Sequence, residues 1–427
     1  MSVSSMRNHP SLSWPASDFS RIPFAAYCDP TVYEEEQIRI FRGPTWNYLA
    51  LEAELPNAGD YLSTKVGDTP VVVNRDGDGA LHAFVNRCMH RGMLLCRERQ
   101  GNAANFVCPY HQWTYDLKGQ LRAVPFPRGV DGQGGLPKDF DRENVRLHAL
   151  KIESYKGVIF GTFSDDAEPL IDYLGPVVTC EIDRLFHKPI RILGHQRQRI
   201  FGNWKLYNDN VRDPNHGGLL HMFHATFGLY RLSQKGGAKM DARGRHNITW
   251  NSLGTDDEKT TREGYEGTNK VYKPKFTLKD MSILQNRSEH PDDVTLVILS
   301  VFPNVVFQQI ANSLCTRQIR TNGTDKMELY WTYYGYADDD EGMTRHRLDQ
   351  ANLVGPGGLI SMEDGEAVEL VQIAVQREQD KHARVEIGGK GKIETQKSLV
   401  TEVPIRGFYS YYCELMGFAA GAEAAAE

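Results

Sequence analysis

The feature that most constrains this chain is the stretch CMHRGMLLCRERQGNAANFVCPYHQW, Cys88 to Trp113. Within it Cys88-x-His90 and Cys108-x-x-His111 form two short clusters, with positions 91–107 between them. Two such pairs have metal-ligand spacing, so the fold must bring two turns together around one site. A Cys2His2 set is commonly a structural zinc site, yet zinc fingers pair cysteine with cysteine and histidine with histidine. Here each turn offers one thiolate and one imidazole in the same order. That split suits a [2Fe–2S] cluster in which one iron takes two thiolates and the other two imidazoles. Pro109, Tyr110, Gly92 and Gly101 supply turn geometry and close backbone approach. Cys96 falls outside the spacing and is expected to be an ordinary packed or surface thiol.

A chain of 427 residues exceeds one ordinary compact core, so two domains, or one large domain with an insertion, are expected. The net charge of −6 gives no general attraction to nucleic acid or anionic membrane, and small partners are expected. The opening MSVSSMRNHPSLSWPASDFSRIP lacks a basic region followed by an apolar one, and no run approaches the roughly 18 apolar residues of a membrane span. A cytoplasmic location without membrane contact is the expectation. Seven cysteines, an odd number and thinly spread, do not make a disulfide framework.

The patterning predicts an α+β protein in three parts. Residues 1–44 form an N-terminal segment in which VYEEEQIRIFRG reads as one short helix that packs on the later, catalytic part. Residues 45–165 carry short β-type runs (TPVVVNRDG, LHAFVNRC, NFVCPYHQWTYD, KGVIFGTF) punctuated by turns such as RDGDG and DLKGQ, a small all-β unit around the clusters. Residues 166–427 mix helix and strand patterns. Within them the polar interval from about 234 to 290 reads as surface loops, and the tail GFAAGAEAAAE as low-complexity.

A second constellation lies in NWKLYNDNVRDPNHGGLLHMFHATFG, read as helix, with Asp213, His216, His221 and His224. Two imidazoles and a carboxylate on one face make the facial triad of a non-heme Fe(II) site, with open positions for O2 and substrate. Spacing does not choose the pair. His221 and His224 share a helical face, whereas His216 and His221, five apart, converge only if Gly217-Gly218 bends the chain. A third ligand is expected from the acidic residues after the Gly/Pro turn: Glu363, Asp364, Glu366 or Glu369.

NRCMHRG followed by CPYHQWTYDLKGQL resembles the Rieske domain of the large (α) subunits of aromatic-ring-hydroxylating oxygenases, and the chain continues for a second domain that a Rieske ferredoxin would lack. The string Asn203-Trp204-Lys205 … Asp213-x-x-His216-x-x-x-x-His221 is similar to that family's mononuclear-iron motif. The resemblance implies His216 and His221 as iron ligands, with Asp213 linking them to the Rieske cluster of a neighbouring subunit. It places the third ligand at Asp364, with Glu363 as the fallback, and leaves His224 to packing. The family commonly shows Glu-Asn where Asp209-Asn210 stands, and often an aromatic residue at the position of Asn215. The implied architecture is a small all-β Rieske domain before a larger α+β catalytic domain whose antiparallel sheet is of helix-grip type.

The implied activity is hydroxylation of an aromatic ring by O2. Cys88, His90, Cys108 and His111 would hold the [2Fe–2S] cluster, and a mononuclear Fe(II) would bind O2 beside the substrate. With no GxGxxG, P-loop or flavin signature, electrons from NADH need a separate flavin reductase, alone or through a ferredoxin. WNYLALEAELPNAGDY, DYLGP, RLSQKGG, SVFPNVVFQQI, ISMEDGE and VTEVPIRGFYSYY look most like α subunits acting on aromatic carboxylates. Anthranilate converted to catechol comes first, with salicylate monohydroxylation or terephthalate cis-dihydroxylation as alternatives; an electron carrier without oxygenase activity is the alternative of another class. Arg317 and Arg406 are the expected carboxylate anchors. The resemblance also implies an α3 ring, as α3β3 with a small β subunit.

Overall fold

Runs rich in β-branched and aromatic residues, closed by Gly and Asp turns, make hairpins of the kind seen from Thr69–Arg75 (TPVVVNR) to Leu81–Val85 across DGDG. A computed structural model describes residues 12–255, 272–419 and, between these, 259, 264 and 265. It divides into two compact units, residues 41–173 and residues up to 40 together with those from 174 onward. The sequence expectation put these divisions at 44/45 and 165/166.

In the unit of residues 41–173 every sheet is antiparallel. One has the strand order Leu81–Val85, Thr69–Arg75, Asp60–Val66, Gln100–Asn102. A second joins Phe106–Val107, Thr114–Tyr115 and Leu121–Ala123; a third joins Lys151–Tyr155, Val158–Thr162 and Asn47–Leu51. Val72, Phe84, Leu95, Phe106, Tyr115, Leu121 and Leu147 pack with Cys88, Cys96 and Cys108 into one core. The two predicted ligand turns thus rest on a hydrophobic floor.

The larger unit is built on a seven-stranded antiparallel sheet. Its strands run in the order Ile190–Ile200, Met327–Tyr336, Ser313–Thr321, Val305–Ile310, Leu296–Val301, Asn247–Asn251, Gly236–Met240. The Trp204–Arg212 helix packs on Leu296–Val301 and Ser313–Thr321 and against the helices Leu359–Val375 and Val403–Met416. This α+β arrangement is the one the sequence predicted.

Two expectations need correction. The interval 234–290 is not all loop: Gly236–Met240 and Asn247–Asn251 complete one end of the sheet. On the outer side of Gly236–Met240, Ala238 exchanges N–H···O bonds with Gln396 at 2.9 and 2.8 Å, and an added Cβ at Gly237 would collide with the Gln396 carbonyl, so the close approach requires glycine there. Positions 256–258, 260–263 and 266–271 of that interval, and 420–427 of the tail, lie outside the described residues, as do 1–11 of the leading segment. Secondly, 203–228 is not one bent helix. A helix ends at Arg212, a single 3-10 turn covers His216–Gly218, and a new helix starts at Met222. Pro214 is the cause, because it holds the preceding Asp213 in extended backbone, φ −92° and ψ 101°.

The short helix foreseen in VYEEEQ is Pro30–Glu36, with Asp29 accepting from the Thr31 N–H and Pro30 at the first turn, continued by one π turn to Phe41. Its last residue is a fully buried carboxylate. Glu36 accepts hydrogen bonds from Lys205 Nζ at 2.6 Å, Trp204 Nε1 at 2.7 Å and Tyr412 OH at 2.6 Å. One carboxylate therefore ties the N-terminal helix to the start of Trp204–Arg212 and to Val403–Met416. A second tie lies one helical turn on, where Asp209 accepts from Tyr27 OH at 2.7 Å and Tyr409 OH at 3.0 Å. Burial pushes its carboxyl up to about 7 against those hydrogen bonds.

Breaking a buried ion pair leaves an uncompensated charge, which costs more than the pair ever contributed. Glu36→Gln is expected to lower unfolding stability by about 3–5 kcal/mol, read by urea denaturation. A loss under about 1 kcal/mol, the scale of an exposed pair, would show that the carboxylate is not the tie described.

Candidate functional site: two metal centres

The loops carrying the first four candidate ligands repeat one backbone pattern. The Cys88 N–H donates to the Met93 carbonyl at 2.8 Å, and the Gly92 N–H to the Cys88 carbonyl at 3.0 Å. In the second loop the Cys108 N–H donates to the Trp113 carbonyl at 2.9 Å, and the Gln112 N–H to the Cys108 carbonyl at 2.9 Å. Both turns close through positive φ, 79° at Gly92 and 56° at Gln112. Equal loops set facing each other bring like residues together. Cys88 and Cys108 are both buried in the same core cluster, and the His90 and His111 rings lie 4.6 Å apart.

The site has an inner and an outer end. Tyr115 OH lies 3.4 Å from Cys88 Sγ and accepts from the Met89 N–H at 3.0 Å. His90 is exposed and stacks on Trp113 at 4.7 Å. His111 Nδ1 is buried without a hydrogen-bond partner. Two inner thiols, two outer imidazoles and an orphaned ring nitrogen fit a [2Fe–2S] cluster bound by thiolates at one iron and imidazoles at the other. Cys96 is apart from this set: it packs in the core, and burial pushes its thiol up to about 12.

In the larger unit the chain break described above aims two imidazoles at one point. His216 stands on the 3-10 turn and His221 caps the following helix, which is how a spacing of five converges. Asp364, on the buried face of Leu359–Val375, meets both: its Oδ1 lies 3.3 Å from His216 Nε2 and 3.2 Å from His221 Nε2. The three side chains offer ligand atoms within 4.8 Å of one another. The far nitrogens are engaged. His216 Nδ1 is 2.7 Å from the Asp213 carbonyl oxygen, and His221 Nδ1 is 2.7 Å from Glu363 Oε2. Such bonds direct Nε2 of each ring inward, as metal-binding histidines require.

The electrostatics ask for a cation. Burial disfavours charge on His216, yet Asp213 and Asp364 outweigh it and push the ring up to about 10. Asp364 is likewise held well below the usual carboxylate range by the two imidazoles despite its burial. Three carboxylates, Asp213, Glu363 and Asp364, face two rings that are neutral when they ligate a metal. A divalent ion with open positions fits this donor set.

Three further residues stand close to the triad. The Asp213 carboxylate is not the main acceptor for a histidine: its Oδ2 is 3.6 Å from His216 Nδ1, and its Oδ1 accepts from the Asn215 N–H at 2.7 Å. Glu363, the fallback ligand, instead orients His221. Asn210, not foreseen at all, donates through Nδ2 to Asp364 Oδ1 at 3.1 Å and lies 3.4 Å from His216 Nε2. Glu366 and Glu369 are not part of the triad; Glu369 accepts from the Phe201 N–H at 3.0 Å.

A cavity of about 470 Å3, counted to its open mouth, adjoins the triad. Strand alternation supplies one wall. Leu296 and Ile298 share a face, Ile310 lies opposite Leu296, and Thr249 opposite Ile298. Arg317 reaches the same cavity; it is buried, donates to Tyr207 OH at 2.8 Å and to Gln308 Oε1, and lies over the Trp331 ring at 4.8 Å. Arg406 does not come to this site. It is buried on Val403–Met416, where it donates to the Gly391 carbonyl at 2.9 Å. Among the described residues no helix is long and apolar enough to cross a membrane.

Two family models match separate parts of the chain. Residues 45–137 match the model of the Rieske [2Fe-2S] domain, and residues 188–417 that of the ring hydroxylating alpha subunit (catalytic domain). The chain is 49% identical over 407 residues to the anthranilate 1,2-dioxygenase large subunit of Burkholderia cepacia, covering 95% of each. It is 43% identical to the terephthalate 1,2-dioxygenase terminal oxygenase component subunit alpha 2 of a Comamonas species, covering 95% of this chain and 98% of the relative. The crystal structure of naphthalene 1,2-dioxygenase from a Rhodococcus species, bound to indole, superposes with a TM-score of 0.76 at 25% identity over 94% of this chain and 95% of that one.

Separation of Cys96 from the ligand set is open to a chemical check. In the native protein at pH 8, iodoacetamide is expected to label the exposed Cys180 and to leave Cys96 unmodified until denaturant is added, as peptide masses will show. Equal labelling of the two would place Cys96 at the surface.

Proposed function

The chain belongs to the ring-hydroxylating oxygenases as an α (large) subunit, and on that premise we propose that its substrate is an aromatic carboxylate, anthranilate first, converted to catechol. As a member it is an oxidoreductase that uses O2 and carries a Rieske [2Fe–2S] cluster and a mononuclear non-heme iron. The observation that carries the substrate class is Arg317, a buried guanidinium brought to the cavity beside the iron triad. A carboxylate entering an apolar pocket without a cation would be left unpaired at large cost, and Arg offers it two donors in a fixed fork. The 49% identity to an anthranilate 1,2-dioxygenase large subunit favours the 2-amino compound within that class.

The roles divide by position. Cys88, His90, Cys108 and His111 hold the cluster, and His216, His221 and Asp364 the iron. Together these groups supply single-electron delivery and O2 activation. Glu363 and the Asp213 carbonyl fix the ring orientations, and Asn210 steadies the Asp364 carboxylate. Asp213, partly buried beside His216, serves as the link to the cluster histidines of a neighbouring α subunit. Arg317 holds the substrate carboxylate so that the ring faces the iron, and the aliphatic wall excludes water from it. With 1,2-dihydroxylation of anthranilate, the resulting diol loses ammonia and CO2. Electrons come from a separate NADH-dependent reductase, directly or through a ferredoxin. The α subunits assemble as a ring of three, with a small β subunit in an α3β3 complex, in the cytoplasm.

Two experiments test this reading. His216→Ala, His221→Ala and Asp364→Ala are each expected to lose one iron per chain and all product while keeping the Rieske EPR signal; Asp213→Ala should keep all iron and still lose turnover. Near-normal turnover in Asp213→Ala would remove the linking role. Reconstituted with a reductase, the enzyme should convert 2-aminobenzoate in preference to 2-hydroxy and 4-carboxy analogues, with products identified by mass. Arg317→Met should lower kcat/KM by about a hundredfold, mainly through KM. An unchanged KM would place the carboxylate anchor elsewhere.

A further inference from the structure

The cavity beside the triad holds two polar side chains that no role above employs. Thr249 lies on Asn247–Asn251 opposite Ile298, and its Oγ1 is buried without a hydrogen-bond partner. His224 lies one turn past His221, 4% exposed, with ring centroids 5.2 Å apart. Neither ring nitrogen makes a hydrogen bond of ordinary geometry; the Gly217 main chain is close without completing one. Each buried polar group left unmatched costs about 1–3 kcal/mol, so two on one small cavity with an aliphatic wall call for a ligand.

The cavity's charge narrows what that ligand carries. Among its described lining residues Arg317 is the one Arg or Lys side chain. It can match one carboxylate; a second would be buried beside Asp364 with no cation of its own. A threonine hydroxyl and a neutral imidazole, by contrast, can each both donate and accept, the complement of an amino or hydroxyl group.

We infer that His224 and Thr249 form a second polar subsite that takes a ring amino or hydroxyl substituent while Arg317 holds the carboxylate. This deepens the reading of Arg317 and rests on it. The subsite makes the cavity selective for amino- or hydroxybenzoates over benzoate, which lacks the second group, and over terephthalate, whose second group is charged. A pocket built to hydrogen-bond a substrate group penalises analogues without it, because its own polar atoms then stay unmatched.

The test is anaerobic equilibrium binding of 2-aminobenzoate, benzoate and terephthalate to the iron-loaded oxygenase, with iron content measured for every variant. Wild type is expected to prefer 2-aminobenzoate over benzoate by about tenfold or more. Thr249→Val, nearly isosteric, and His224→Phe should each bring that ratio toward one while leaving benzoate affinity within about threefold. A ratio unchanged in Thr249→Val overturns the subsite, the two polar groups then being matched by water; this variant decides alone if His224→Phe loses iron or fails to fold. Wild type that binds neither 2-aminobenzoate nor benzoate overturns both readings. Arg317→Met with undiminished benzoate affinity removes only the anchor, provided Thr249→Val still erases the preference.

Discussion

A buried carboxylate that accepts three hydrogen bonds, Glu36, is the constraint from which the catalytic unit takes its shape. It fixes Trp204 and Lys205, which begin the helix whose last turn presents Asn210 and whose C-cap is Asp213. It also takes the Tyr412 hydroxyl, so the C-terminal helix is held by the same group. A helix so anchored at its start cannot slide without moving the residues at its end. The position of Asn210 against Asp364 is therefore set partly by a side chain more than 150 positions earlier in the chain.

The metal centre shows the same economy of means. Asp213 does two things with different atoms: its carbonyl orients His216, and its carboxylate, tied to the Asn215 N–H, stays beside the ring. Pro214 enforces the extended backbone that makes both possible. Adjacent residues on Leu359–Val375 divide the remaining work, Asp364 facing the triad and Glu363 holding His221 from behind.

Much of this was legible because it is local. The Cys/His clusters declare themselves at spacings of two and three, and short β-branched runs between Gly and Asp turns declare the strands around them. Other features resisted because their causes are long-range. Helical spacing hides the His216 and His221 pair, because Pro214 breaks 203–228 into separate turns. The bearing of Arg317 could not be read from alternation, since Ser313–Thr321 is buried along nearly its whole length and shows no period of two. Arg406 sits in an equally apolar context, and only the packed fold separates the two. Glu363 lay within the expected acidic group, but its partner is 142 positions away.

The two ligand loops of the small unit place thiols inside and imidazoles outside, with Trp113 stacked beneath His90. An electron held there is insulated on one side by core side chains and meets solvent on the other. The unit thus has a single doorway. The route by which an electron would enter the cluster and the route by which it would leave then share the short stretch of surface around His90 and His111.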